Sequence, residues 1–193
     1  MRVRAANPLV VAAAEERILG SAEATGGLRD LFRGHAGYVW NTLRRLGVPP
    51  ADLEDLTHDV FLRVHRHLAQ YDPTRAVRPW LFGFAFRVAS QYRRRAYRRH
   101  EVFGEPEAAA HAGTTPEEQM AAAEDRALVL EALQAIELGR RAVFVLYEID
   151  GATMKDIGDS LGIPVNTAYS RLRVARTEFT DAVRKLRSGR GPR

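Results

Sequence analysis

Read for apolar positions, the chain resolves into segments repeating every three or four residues, and no stretch alternates apolar with polar as a half-buried strand does. Between 28 and 46, Leu31, Phe32, Tyr38, Val39, Leu43 and Leu46 recur at helical intervals until Gly47, Pro49 and Pro50 stop them, with an irregularity expected near Gly34. Leu53, Leu56, Val60, Val64 and Leu68 set a second helix, whose first turn carries Asp52, Glu54 and Asp55, where carboxylates favour the helix dipole. The turn-rich stretch Tyr71 to Arg78 then leads to PWLFGFAFRVASQYRRRAYRR at 79–99. At a helical period Leu81, Ala85, Val88 and Tyr92, with Phe84 and Ala89 beside them, form one stripe that can lie against a small core.

Residues 101–116 lose the apolar period and turn to Ala, Gly, Glu, Thr and Pro, the composition of a flexible tether, so the pattern predicts two helical domains joined by a linker. Beyond it a helix over about 116–137 buries Leu128, Ala132, Leu133 and Ile136, and a second over 140–149 holds Val143, Phe144, Leu146 and Tyr147. Thr153 followed by Asp156 has the spacing of a capping box, Ile157 and Leu161 face inward, Gly162 ends the helix and Pro164 opens the next. Two helices about a tight glycine turn predict a helix-turn-helix. Ala168, Leu172, Ala175 and Phe179 fix the inner stripe of its second helix, and the basic tail RKLRSGRGPR is expected to be disordered.

Composition adds a bias toward acidic partners. The 193 residues carry a formal charge of +5 and a pI near 9.9, and the charge is uneven: arginines gather at 87–99 and 171–193, acids at 52–59 and 101–125. With no cysteine there is no disulfide framework, thiolate metal site or thiol nucleophile, and the plain expectation is a cytoplasmic protein. The first twenty residues have an apolar run, but Pro8 interrupts it and Glu15 and Glu16 close it, so it reads as an extension, not a signal or membrane anchor.

Two outward faces carry candidate chemistry. On 79–99, opposite the apolar stripe, stand Phe86, Ser90, Arg94 and Tyr97, flanked by Arg87, Arg93 and Arg98. Guanidinium groups pair with phosphate and exposed rings stack on unpaired bases, so this face suits partly single-stranded nucleic acid; the plainer reading is a solvated basic helix end. On the last helix, Asn166, Ser170 and Arg173, with Thr167, Tyr169, Arg171 and Arg176 at the edges, occupy the face that enters a major groove, where Arg pairs with guanine and Asn with adenine. The outward side of the second helix, Asp59, Leu62, Arg63 and Arg66, either meets water or serves a partner helix. An enzyme fits poorly. His65 and His67, two apart, cannot share a helix face as metal ligands, and the acids at 52–59 act first as dipole partners, so no catalytic, cofactor or metal site is expected. A sensing domain followed by a helix-turn-helix would account for the second half alone.

Three segments in order resemble a known family. EDLTHDVFLRV at 54–64, RPWLFGFAFRVASQYRRR at 78–95 and IGDSLGIPVNTAYSRLRVAR at 157–176 are similar to the polymerase-binding helix, the minus-ten segment and the minus-thirty-five helix-turn-helix of bacterial RNA polymerase sigma factors of the extracytoplasmic-function (ECF) type. The resemblance implies an all-α protein: an N-terminal extension at 1–27, a region 2 helical bundle at 28–100, a linker at 101–120, a region 4 domain at 121–187 and a basic tail at 188–193. It implies docking on the clamp helices of the polymerase's largest subunit through Asp55, Asp59, Leu62, Arg63 and Arg66. It also implies reading and melting of the minus-ten element by Arg75, Phe86, Arg87, Ser90, Gln91, Arg94 and Tyr97, with a non-template base turned out of the stack. The minus-thirty-five element would fall to Asn166, Thr167, Tyr169, Ser170, Arg171, Arg173 and Arg176, and an anti-sigma factor is a further expected partner. The chain departs from the family at His58, Arg87 and Gln91, at Asn166 and Ala168, and at Ile136 and Glu137, where Leu-Pro is usual.

Overall fold

The computed structural model describes residues 26–103 and 117–189, with side chains placed for 27–96 and 124–189. Residues 1–25 of the expected extension at 1–27, most of the tether and the last four residues lie outside these. Helix α1 is Gly26–Arg45, α2 Leu53–His67, α3 Val77–Phe103, α4 Glu117–Gln134, α5 Leu138–Phe144, α6 Met154–Leu161 and α7 Val165–Gly189; 3-10 turns at Pro50–Asp52 and Leu68–Gln70 flank α2. No strand occurs among the described residues.

In the first domain α1, α2 and α3 pack on one another through the predicted stripes. Val39, Leu43, Val60, Phe61, Leu81, Ala85 and Ala89 are buried, and Phe32 meets Phe61 edge-on at 4.7 Å. Each large side chain removed from water contributes about 1.5–3 kcal/mol. Tyr92 closes the inner face of α3, its hydroxyl donating to Asp52 at 2.7 Å. α1 runs unbroken through Gly34, against the expected irregularity. A glycine within a helix costs about 1 kcal/mol, less than the burial of Phe32, Ala36 and Val39 on its inner side returns.

In the second domain α4, α5 and α6 pack on α7 around Leu133, Ile136, Val143, Ile157, Leu172 and Ala175. Thr153 caps α6 by accepting from the Asp156 N–H at 3.2 Å, but the Asp156 carboxylate accepts from the Thr153 hydroxyl instead of reaching the backbone, a half-formed capping box. Gly162, at φ 65°, supplies the left-handed turn that ends α6. The helix expected over 140–149 is two pieces. α5 widens at Val145–Ile149 into a π turn, in which the Asp150 N–H donates to the Val145 carbonyl at 3.0 Å. The tail also differs from expectation: α7 continues to Gly189, supported by buried Ala182, the Arg184–Asp181 pair at 2.9 Å and cations at the negative end of the helix.

The two domains touch. α3 lies against α6 and α1 against α4, and the buried residues of both form one continuous apolar cluster.

Candidate nucleic-acid interface

The α3 face divides when built from its side chains. Arg94 is exposed; Ser90 and Phe86 are half-buried, with Phe86 packed against the core instead of standing out as the pattern suggested. Arg87 lies over the Phe84 ring at 4.5 Å, and burial, then the charge of Arg63, lowers its pKa. Gln91 is exposed and accepts from Arg63 at 2.8 Å, while Arg63 also holds Asp59 at 2.9 Å. Two residues assigned to polymerase docking and one assigned to DNA are therefore joined in one network. The side chain of Tyr97 lies outside the described residues.

Arg75 sits in the loop before α3, beside Tyr71 and Trp80, whose rings approach to 4.6 Å; Trp80 in turn meets Phe84 at 5.1 Å. Asp72 orders that loop by accepting from the Thr74 hydroxyl at 2.7 Å and its N–H at 2.9 Å, bonds that lower the carboxyl pKa. Rings and guanidinium groups together make a surface on which an unstacked base can rest. On α2, Leu62 is 40% exposed and Arg66 and Asp55 are also at the surface.

On α7 the inner stripe turns Asn166, Tyr169, Ser170 and Arg173 outward together, Tyr169 being 56% exposed. Thr167 is half-buried and its carbonyl accepts from the Ser170 hydroxyl at 2.9 Å. Arg176 is engaged by Glu148 at 2.7 Å and lies 5.6 Å from the Tyr147 ring centre. Arg171 is half-buried beside Gly139 and Glu137. Glu137, a departure noted in the sequence, caps α5: its carboxylate accepts from the N–H groups of Gly139 at 2.9 Å and Arg140 at 3.1 Å. Burial pushes its pKa up, but those bonds and the charges of Arg140 and Arg171 outweigh it, and the net shift is downward.

An open cleft of about 1130 Å³ separates Phe86, Ser90, Arg93 and Arg94 of α3 from Arg171 of α7, so the two cationic faces border one space. Among the described residues no cluster of three or more His, Asp or Glu side chains could hold a metal ion, and no helix is long and apolar enough to cross a membrane.

The ties between domains were not anticipated. The Tyr38 hydroxyl donates to Asp150 at 2.7 Å and Arg45 approaches the same carboxylate at 3.4 Å, across more than a hundred residues of sequence. Burial, then the neighbouring Asp150, raises the Tyr38 pKa; burial also raises that of Asp150, against the pull of Tyr38, Arg45 and Arg78. Tyr38 stood in the apolar stripe of α1, but no local signal names a partner so distant.

Comparison with known proteins finds two matched families: "Sigma-70 region 2" over residues 31–99 and "Sigma-70, region 4" over residues 126–179. The chain is 30% identical to RNA polymerase sigma factor CnrH of Cupriavidus metallidurans, over 86% of its own length and 92% of that protein's. It is 33% identical to ECF RNA polymerase sigma factor SigL of Mycobacterium tuberculosis, over 82% and 90%. Its fold is similar to CnrH in complex with the cytosolic domain of CnrY, with a TM-score of 0.61 at 22% identity over 92% and 96% of the two chains. It is also similar to sigma factor RpoE in complex with the anti-sigma factor NepR from Bartonella quintana, again at 0.61, with 20% identity over 79% and 96%.

Proposed function

The chain belongs to the sigma-70 family of bacterial RNA polymerase sigma factors, of the ECF type, and is a promoter-directing factor for transcription initiation; from that premise we propose how its surfaces divide the work. The first domain, 28–100, docks core polymerase through Asp55, Asp59, Leu62, Arg63 and Arg66 on the clamp helices of the largest subunit. Its α3 face and the Arg75 loop read the minus-ten element, and the Tyr71–Trp80 wall receives a non-template base turned out of the duplex. Unstacking costs on the order of a few kcal/mol, which ring stacking and phosphate contacts offset. The second domain, 121–187, reads the minus-thirty-five element with Asn166, Tyr169, Ser170 and Arg173, while Thr167, Arg171 and Arg176 lie where they would meet phosphate and fix register. Residues 101–120 link the two. The protein acts in the cytoplasm, and an anti-sigma factor holds it in reserve, a reading supported by the complex of sigma factor RpoE with the anti-sigma factor NepR, which is similar in fold.

The observation that carries this reading is the aromatic and guanidinium surface on α3 and its preceding loop, which an operator-binding regulator has no use for. Capture of core polymerase by the purified chain, followed by transcription from promoters mapped after overexpression, tests it. Duplex binding without polymerase capture would return the chain to the class of ordinary regulators.

A further inference from the structure

Arg176 carries the outward side of α7 about one turn beyond Arg173, and its guanidinium does not hang loose in water. Nε donates to Oε1 of Glu148 at 2.7 Å, Nη2 stands at the same distance from that oxygen, and the guanidinium carbon lies 5.6 Å from the centre of the Tyr147 ring. Both supports come from the π turn that follows α5, which keeps Val145 and Leu146 buried and turns Tyr147 and Glu148 outward together. A π turn is a poorer helix than the one it interrupts, and such turns recur at working sites. The pair does little for stability, since both side chains are partly in water. What it does is orient: one edge of the guanidinium fork faces Glu148, and the donors on the other edge remain for a second anion.

We propose that Glu148 is a positioning residue for minus-thirty-five recognition, fixing the Arg176 fork against the Tyr147 ring so that its remaining N–H groups grip one phosphate in a set geometry. The inference rests on the assignment of α7 to that element. An unsupported arginine loses many rotamers when it grips a phosphate, whereas one already held by a carboxylate and a ring has lost them before DNA arrives. Against this, a carboxylate beside DNA repels phosphate and by itself weakens binding to every sequence. The two effects have opposite signs, so removal of Glu148 tells them apart.

The test uses holoenzyme reconstituted with the full chain. Affinity is measured at one fixed KCl concentration for a promoter fragment and for the same fragment with its minus-thirty-five element scrambled. We expect Glu148→Ala to bind the promoter about 3–5-fold more weakly, although it removes a negative charge, and the scrambled fragment no less tightly than the unsubstituted protein does. Glu148→Gln keeps the volume of the side chain, guards against a loss of fold, and should weaken promoter binding in the same direction. Arg176→Lys, which keeps the charge without the fork, should also lose promoter affinity, and in an Arg176→Ala background Glu148→Ala should bring no further loss. Equal or tighter promoter binding by both Glu148 variants would overturn the proposal. So would the same fold loss in the Arg176→Ala background, which is what a purely structural support of the turn predicts. Failure of the underlying assignment has its own signature: Arg173→Ala and Arg176→Ala would both leave the preference for the intact element unchanged, which removes the premise and the inference together.

Discussion

Arg141 is only 1% exposed, yet none of its hydrogen-bond partners is a carboxylate. Its guanidinium serves the end of α4. Nη2 donates to the carbonyl oxygens of Gln134 and Ile136, both at 2.9 Å, Nε to Ile136 at 3.2 Å and Nη1 to the Gln134 side-chain oxygen at 2.6 Å. The last carbonyls of a helix lack partners within it and lie at the negative end of its dipole, so a buried cation can be stable there without an anion. Burial, then the charge of Arg93, pulls its pKa down to about 10 against the opposing pull of Glu137, and the group stays protonated at neutral pH. Arg141→Ala takes donors from the buried Ile136 carbonyl and the part-buried Gln134 carbonyl, at about 1–3 kcal/mol each, and leaves a cavity, while relieving the cost of burying charge. The net loss should be about 3–5 kcal/mol, the unmet carbonyls and the cavity together less the relieved cost of the buried charge. That is a large part of the 5–15 kcal/mol typical of a domain, and corresponds to a fall in Tm of roughly 6–20 °C. Arg141→Met refills the volume but not the hydrogen bonds and should lose about 2–3 kcal/mol. Urea and thermal unfolding followed by far-UV circular dichroism measure both. An alanine variant within about 1 kcal/mol of the unsubstituted protein would refute the reasoning, because the carbonyls would then have found another donor.

Three further outcomes are expected. Burial raises the Asp150 carboxyl above its ordinary 3.8, so its contribution to stability is fully present below that value and lost as pH rises through its folded pKa; Asp150→Asn, which keeps an acceptor for Tyr38, should flatten the urea midpoint over that window. His35 runs the other way: burial, then Arg78, lowers its pKa from 6.5, so stability present above 6.5 is lost as pH falls through the folded value, and His35→Gln should remove that part of the profile. Thr153→Ala should cost about 1 kcal/mol in the same unfolding assay, as loss of an N-cap does. In holoenzyme, Arg173→Ala should weaken protection of the upstream element and reduce the salt slope by about 1, whereas Arg94→Ala should slow opening with the upstream footprint intact; equal loss at both elements for either variant would count against the division of labour.

What could be read ahead of the structure was local. The stripes of α2 and α3 and the cap, glycine and proline around the helix-turn-helix are short-range signals, and the helices formed where those signals put them. Gly34 misled because an exposed glycine in a helix is tolerated when its neighbours are buried. Phe86 misled because α3 buries more of its circumference than one stripe, having α6 as a second neighbour. Arg141 contradicts the expectation that arginine stays at the surface, and its use emerges only when the end of α4 is in place. Asp150 and Asp159 lay in no apolar period, and their partners Tyr38 and Arg75 are on the other domain.

The materials of the contact between domains bear on how it could open. Two large apolar faces would hold the domains together too firmly for a partner to separate them, since burial contributes about 25 cal/mol per Å². Here the apolar cluster does run from one domain into the other, but the contact also includes a buried carboxylate whose raised pKa marks a cost of burial, a half-exposed ion pair, and a helix crossing that depends on one glycine, Gly83. Arg93 of α3, which bears against the charge of Arg141, adds repulsion on the side of the open cleft. Moving such an equilibrium from almost wholly closed to almost wholly open takes about 5.5 kcal/mol of differential binding. The α2 face with Asp55, Leu62 and Arg66 is exposed while the domains are in contact, whereas Arg75 is paired with Asp159 across the contact, so only a partner that takes Arg75 gains from separation. A contact of polar pairs and one close helix crossing parts at less cost than an apolar face of the same extent.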